Sequence, residues 1–389
     1  MTTLYLIRHA EAEGNLYRRI HGQYDSLITD NGYRQIQALR RRFEPIHIDA
    51  VYSSDLFRTM TTARGSICKP KHLPLHTRRD LREIDMGAWE DRSWAGVAMT
   101  EPEEMARFSA ASPDFRAPGG ESFEELRQRG AAAIRDIAAR HPDQTVAVFA
   151  HGTFLRNTVA CLRGLSLADM AHVGHSDNTA VTCLTFDGDR MELVFLDDNS
   201  HLDGTISTLA QQHWWNKDAK RKDINLWFRP FDPKSEDDAA FYRAAREEIW
   251  TALYGSLDRC DTEGFLAEAR QDALHDALWV AMSGHRPVGL LQLDPARGSR
   301  LGVGYIAFLC LIPEERRSGL GVQLIGKAVS LTRPLGWDEL ALVCSERNAP
   351  ALAFYERYGF RRTGVTAGAY GPLYEMEKYI GYDGWDARL

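Results

Sequence analysis

The chain has 389 residues, a formal net charge of -7 and a sequence pI near 6.0, which exceeds one usual core and leaves no basic footprint for nucleic acid. Hydrophobic residues make up 44% and charged residues 26%, the balance of a soluble globular protein, so two domains are expected. The longest strongly apolar run, Leu301 to Pro313, carries glycines and is too short to span a bilayer.

The first dozen residues set the theme. Leu4-Tyr5-Leu6-Ile7 reads as a buried strand that runs straight into Arg8-His9, and the chain then turns polar through Glu11, Glu13, Gly14 and Asn15. No secretory signal is read here, because this apolar stretch is itself a core strand. A guanidinium and an imidazole at a strand end stand where α/β folds place their ligands. The arginine fork suits an anion and the imidazole can attack one; a surface Arg-His pair is the plain alternative.

Asp30-Asn31-Gly32 opens a helix with Tyr33, Ile36, Leu39 and Phe43 on one face, and Arg40-Arg41-Arg42 near its end reads as a solvated face. Ala50 to Ser53 is a strand, and a helix from about Leu56 delivers Arg58 near its N-terminus, where backbone N–H groups favour an anion. A loop at 69–76 leads to Glu83. Residues 91–120 mix aromatics with prolines and read either as a lid over a site or as a structural excursion. A helix follows from Ser122, with Phe123, Leu126, Ile134 and Ile137 inward, then the strand 145–150 ending in His151-Gly152, and strands near 179–186 and 190–196.

Two strand-end histidines, two arginines and a carboxyl group need one account. The motifs L-I-R-H-A-E (6–11) with Asn15, S-S-D-L-x-R (53–58), E-I-D-x-G-x-W-E (83–90) and A-H-G (150–152) resemble the histidine phosphatase superfamily, which includes the cofactor-dependent phosphoglycerate mutases. The resemblance implies that His9 is a nucleophile that becomes phosphohistidine, and that Arg8, Arg58, His151 and Asn15 bind the phosphoryl group. Glu83 is implied as the acid that protonates the leaving alcohol, which requires burial to keep it protonated, with Asp85 and Glu90 as rivals. Neither the motifs nor the composition calls for a metal.

The pattern weakens after Ser200. A linker is expected over 206–221, dividing a first domain, 1–205, from a second, 222–380, with a tail at 381–389; Trp214-Trp215 could pack across the boundary. The second half reads as a strand at 224–229, helices at 239–257 and 262–273, strands at 277–283, 288–294 and 302–312, a glycine-rich turn and helix at 313–331, a strand at 339–344, a helix at 349–358 and strands near 360–365 and 373–379. R-R-S-G-L-G (316–321) is a glycine-bearing loop before a helix, which exposes N–H groups to a diphosphate.

That loop, with Pro313 before it, and N-A-P-A-L-A-F-Y-E-R-Y-G-F (348–360) resemble motifs A and B of the GNAT acetyltransferase superfamily. The resemblance implies acetyl-CoA as co-substrate, held by Leu309, Leu311, Arg316, Arg317, Ser318, Gly319, Leu320, Gly321 and Asn348. It also implies that Tyr355 is the acid for the departing thiolate, that a splayed pair of strands admits the pantetheine arm, and that the acceptor is an amine. Glu314, Glu346 and Glu375 are candidate bases.

The expected architecture is a three-layer α/β phosphoglycerate mutase-like domain followed by an α+β GNAT-like domain. The expected partners are a phosphorylated small molecule and an amine, with no nucleic acid and no membrane. A CoA-binding regulatory module and a mutase stand as alternative functions. Six scattered cysteines without a C-x-x-C pair read as reduced thiols in a cytoplasmic protein.

Overall fold

A computed structural model describes residues 1–212, 224–384 and 388–389. The chain forms two compact units, Met1–Asp223 with Gly384–Leu389, and Ile224–Asp383. No helix among the described residues is long and apolar enough to cross a membrane.

The first unit holds a six-stranded sheet of β1 (Thr2–Arg8), β2 (Ala50–Ser54), β3 (Leu75–Arg78), β4 (Thr145–Ala150), β5 (Val181–Asp187) and β6 (Arg190–Asp198), in the order β3-β2-β4-β1-β5-β6. The first four strands of that order are parallel and the last two pair antiparallel. Leu4, Leu6, Val146 and Val148 point to one face, under α3 (Phe123–Arg140) and α4 (Gly152–Leu162). Ile7, Ala147, Phe149 and Val51 point to the other, under α1 (Asp30–Phe43) and α2 (Phe57–Ala63). Both faces being covered is why β1 and β4 read as unbroken apolar runs. Thr29 caps α1, and a reciprocal Ser122–Glu125 capping box starts α3.

Three sequence expectations change here. The expected loop at 69–76 is helical as far as Lys71 and ends in strand β3. Residues 91–120, mostly exposed or half-buried, anchor on the core at a few points, as an excursion would: Val97, Phe115 and Ala117 are fully buried, Phe108 packs against Phe115 and Phe123, and the Trp89 indole donates to Glu101. The expected linker starts too early. Ser207 donates to Asp177 and caps the short helix Thr208–Gln211, and Gln35 reaches Ile206 and Thr208. The rest of that linker, with Trp214-Trp215, lies outside the described residues. The expected tail likewise divides: Ile380 is fully buried in the second unit, and Arg388 pairs with Asp30 of the first.

The second unit holds β7 (Trp227–Pro230), β8 (Leu278–Ser283), β9 (Arg286–Leu293), β10 (Gly304–Leu311), β11 (Glu339–Ser345), β12 (Arg361–Gly368) and β13 (Gly371–Tyr379), in the order β12-β13-β11-β10-β9-β8-β7. Helices α5 (Glu236–Tyr254) and α6 (Thr262–Ala273) pack on β8, β9 and β10. Helix α7 (Gly321–Thr332) lies against β9, β10 and β11, and α8 (Ala349–Arg357) follows β11. A short helix, Pro295–Leu301, escaped the sequence reading because its glycine and charged residues give no apolar period. Strands β10 and β11 are parallel and pair only at Gly304 and Tyr305 with Leu340 and Ala341, so the two strands part beyond that point. Cys183, Cys310 and Cys344 are buried free thiols, whereas Cys161 is only partly buried.

Candidate active sites

In the first unit β1 leads across β4 to β2, and β4 leads across β1 to β5, so the two connections part in opposite directions at the C-terminal ends of adjacent strands. Such switch points are where open α/β sheets bind ligands. His9 follows β1 and His151 follows β4. The His9 backbone N–H bonds Ala150, and the two imidazole rings lie 5.4 Å apart, centroid to centroid.

His9 Nδ1 lies 2.7 Å from the carbonyl of Ala10. A carbonyl only accepts, so in the neutral ring the proton sits on Nδ1 and Nε2 carries the lone pair. Burial, followed by the guanidinium charges of Arg58 and Arg8, holds His9 well below the ordinary imidazole range. His151 is lowered in the same way, by burial and then Arg58. Both of its ring nitrogens are buried with no hydrogen-bond partner among the described residues.

Arg58 is 1% exposed and donates to three carbonyls, those of Tyr24 (3.0 Å), His21 (3.2 Å) and Gly22 (2.6 Å). That loop is held in turn by Glu90, whose carboxylate accepts from the N–H groups of Gly22, Gln23, Tyr24 and Met86 at 2.7–3.1 Å. Glu90 is thus engaged by backbone, while its burial raises the carboxyl above the ordinary range. Asp85 accepts from Gly87 in its own turn. Arg8 donates to the Ser176 carbonyl, and its Nε is buried without a partner. A side chain at Gly152 would place its Cβ 3.0 Å from that Nε, which gives the glycine of A-H-G a steric reason.

Glu83 is buried, but its surroundings differ from those expected of a protonated acid. Its two oxygens accept from the N–H groups of Phe154 (2.7 Å) and Thr153 (2.9 Å), at the start of α4, and of the adjoining Ile84 (3.0 Å). Three N–H donors, two of them at a helix N-terminus, are the partners of a carboxylate. Asn15 Oδ1 accepts from the Ala12 N–H at 3.1 Å and lies 3.5 Å from Asn178 Nδ2, which also donates to the His9 carbonyl. The sequence reading missed Asp177-Asn178 and the Gly22–Tyr24 loop. Their only signal was a polar run, Ser176 to Thr179, directly before an apolar strand. Among the described residues, no group of three or more His, Cys, Asp or Glu could hold a metal ion.

In the second unit the residues assigned to the diphosphate loop divide. Arg316 makes a two-point ion pair with Glu248 of α5 and donates its Nε to the Leu311 carbonyl at 2.9 Å. That holds Arg316 within the chain and engages one of the two expected backbone positions, while Leu309 pairs with Leu291 of β9. Ser318 turns back on the Glu315 carbonyl, and Leu320 is buried as the residue before α7. Arg317, exposed at φ 57°, and Gly319, exposed at φ 84°, face open space. A Cβ on Gly321 would meet the Phe354 ring at 2.9 Å, so this glycine lets α7 close on α8. Asn348 caps α8 by accepting from Ala351, a structural reason for its place that the cofactor assignment overlooked. Tyr355 is 7% exposed, in ring contact with Phe354 and Phe360, and burial pushes its phenol well up.

Residues 4–199, half of the chain, match the family model described as histidine phosphatase superfamily (branch 1). The chain belongs to the histidine phosphatase superfamily. Residues 241–360 match the acetyltransferase (GNAT) family, so the chain is a fusion of the two, and both families are families of enzymes. It is 36% identical over 165 residues to the probable phosphoglycerate mutase GpmB of Proteus mirabilis, covering 42% of this chain and 76% of that one. It is 30% identical over 202 residues to phosphoserine phosphatase 1 of Hydrogenobacter thermophilus, covering 52% and 95%. The solved structure of Bacillus stearothermophilus YhfR superposes with a TM-score of 0.50 at 30% identity, over 52% of this chain and 99% of that one.

Proposed function

We propose that the first unit hydrolyses phosphomonoesters through a phosphohistidine on His9, and that the second moves the acetyl group of acetyl-CoA to an amine. The observation that carries the first half is the state of His9: neutral, with its proton fixed on Nδ1 and its Nε2 lone pair free. Nε2 attacks phosphorus as the ester P–O bond breaks. Arg8, Arg58 and the unpartnered His151, with Asn15 assisting, supply donors and charge to the phosphoryl oxygens, usually the largest catalytic term in this chemistry. Glu83 gives the leaving alkoxide its proton. In the second step water adds to phosphorus, Glu83 takes its proton, and the N–P bond breaks to free phosphate and His9. Hydrolysis is preferred to mutase action, which needs a site that retains a bisphosphorylated intermediate.

Acetyl-CoA fits the second unit because β10 and β11 part beyond Tyr305 and Ala341, and because Arg317 and Gly319 stand open before α7. Bound there, it supplies an activated acetyl group. Leu309 lines the parted strand, Arg317, Gly319 and the first N–H groups of α7 face the diphosphate, and the Tyr355 hydroxyl, kept protonated by burial, is the proton donor.

Rapid quench of the full chain with a labelled phosphomonoester tests the first half: acid-labile phosphate should map to His9, and His9→Ala should abolish turnover while leaving acetyl-CoA binding intact. Label on a serine or an aspartate would sink the mechanism.

A further inference from the structure

Helix α5 lays Tyr242, Arg246 and Trp250 along one face, each four residues after the last, towards β9 and β10. The guanidinium of Arg246 sits 3.8 Å from the Phe308 ring centroid, 4.6 Å from that of Phe265 and 5.3 Å from that of Tyr242. Its hydrogen bonds go to neutral groups, the Tyr242 hydroxyl at 3.0 Å and the Gln292 amide oxygen at 3.4 Å. No carboxylate pairs with it among the described residues, although the neighbouring Arg243 and Arg316 each have one. One turn further on, the indole N–H of Trp250 is buried and has no acceptor. Around it stand Tyr254 and Tyr370, at 4.8 and 5.0 Å, the latter from the turn between β12 and β13.

Phe308 lies on β10 past the last rung it shares with β11. Arg246 therefore stands beside the part of β10 that has left its parallel neighbour. Tyr305 stands at the vertex of the opening, at the last rung shared with β11. It is 6% exposed and its hydroxyl has no partner. Burial raises that phenol; the guanidinium of Arg297, 3.9 Å from the ring centroid, opposes the rise, and the charges of Asp294 and Glu375 add to it. Two donors without an anion, a guanidinium and an indole N–H one helical turn apart, are complementary to a carboxylate.

We infer that Arg246 and Trp250 receive the carboxylate of the acetyl acceptor, which makes the acceptor an amino-carboxylate. This rests on the acetyl-transfer reading given above. A guanidinium already stacked on aromatic rings loses little further freedom when a carboxylate docks, and such a pair is strong where water is excluded.

The test uses the full chain, acetyl-CoA, the twenty protein L-amino acids, their decarboxylated amines and phosphoethanolamine, reading both acetyl transfer and thermal shift. Transfer is expected to one or more amino acids over the matched amine. Arg246→Met should raise KM for that amino acid roughly 10–100-fold and leave KM for acetyl-CoA unchanged, and Trp250→Phe should raise it less. Arg246→Lys, which keeps the charge, should recover part of the loss and controls for packing damage. Equal use of bare amines with a neutral Arg246→Met overturns the inference and leaves acetyl transfer standing, and preference for phosphoethanolamine overturns the carboxylate. If nothing is acetylated, the transfer reading fails and the thermal shift decides this one: stabilisation by amino acids that Arg246→Met removes supports it, and no stabilisation overturns it.

Discussion

Lowering the pH should loosen the phosphatase unit through His201, well outside the reacting groups. Its Nδ1 lies 3.2 Å from Arg42 Nη1, and its Nε2 lies 3.1 Å from the hydroxyl of Thr179. Arginine can only donate, so Nδ1 accepts, the proton is on Nε2, and the ring is neutral. Burial first, and then the charge of Arg42, lower its pKa to about 4. The unfolded chain takes up a proton as pH falls below the ordinary histidine value, and the folded chain does not until about 4. The stabilisation from the neutral ring is therefore complete above about pH 6.5 and is lost progressively as the pH falls from there to about 4. Between pH 7.5 and pH 5 the loss from this one residue is about 2 kcal/mol, or roughly 4–8 °C in Tm for a unit of this size. Thr179 stands at φ 63° and donates its N–H to the His9 carbonyl, so the loosening reaches the loop behind the nucleophile. Calorimetry of the wild type and His201→Gln at the two pH values isolates the term, because glutamine keeps an acceptor and a donor but does not titrate. The variant should lose about 2 kcal/mol less than the wild type on acidification. Equal losses in both proteins would refute a neutral, half-buried His201.

Three further outcomes are expected. Gly152→Ala should fold and yet lower kcat/KM about 100-fold, because its methyl would press on Arg8 Nε at 3.0 Å; steady-state kinetics with circular dichroism checks this. Glu83→Gln should cut kcat by roughly 10²–10⁴ and also lower Tm, since an amide cannot accept all three N–H bonds, from Thr153 and Phe154 of α4 and from Ile84, as the carboxylate does. Tyr355→Phe should reduce acetyl-transfer kcat over a similar range, roughly 10²–10⁴, with acetyl-CoA affinity little changed because the ring still packs on Phe354 and Phe360; full turnover would leave Tyr355 as a packing residue only.

Much of the fold was legible because its signals are local. The apolar runs of β1 and β4, each closed by a histidine, and the caps of α1 and α3 are visible within a few residues. What escaped depends on partners distant in sequence. Arg316 reads as a phosphate ligand, and nothing beside it marks Glu248, 68 residues earlier, as its partner. Glu83 reads as a buried acid until the N–H groups of α4, about 70 residues later, are seen to point at it. Ser207 and Thr208 read as linker because their partners Asp177 and Gln35 carry no mark of the pairing.

The grip on Arg58 has a consequence for substitution. Three main-chain carbonyls hold the arginine, and a row of main-chain N–H groups, clasped by Glu90, holds the loop that carries them. Gly22 is fixed, since any Cβ there would strike Glu90 and the Ile84 carbonyl at 2.4 Å. At positions 23 and 24, by contrast, the grip asks only for a backbone N–H, and at 24 for a carbonyl as well, so every residue except proline meets its terms. Substitutions at 23 and 24 can therefore change the side chains the loop presents while the main-chain grip on Arg58 is kept.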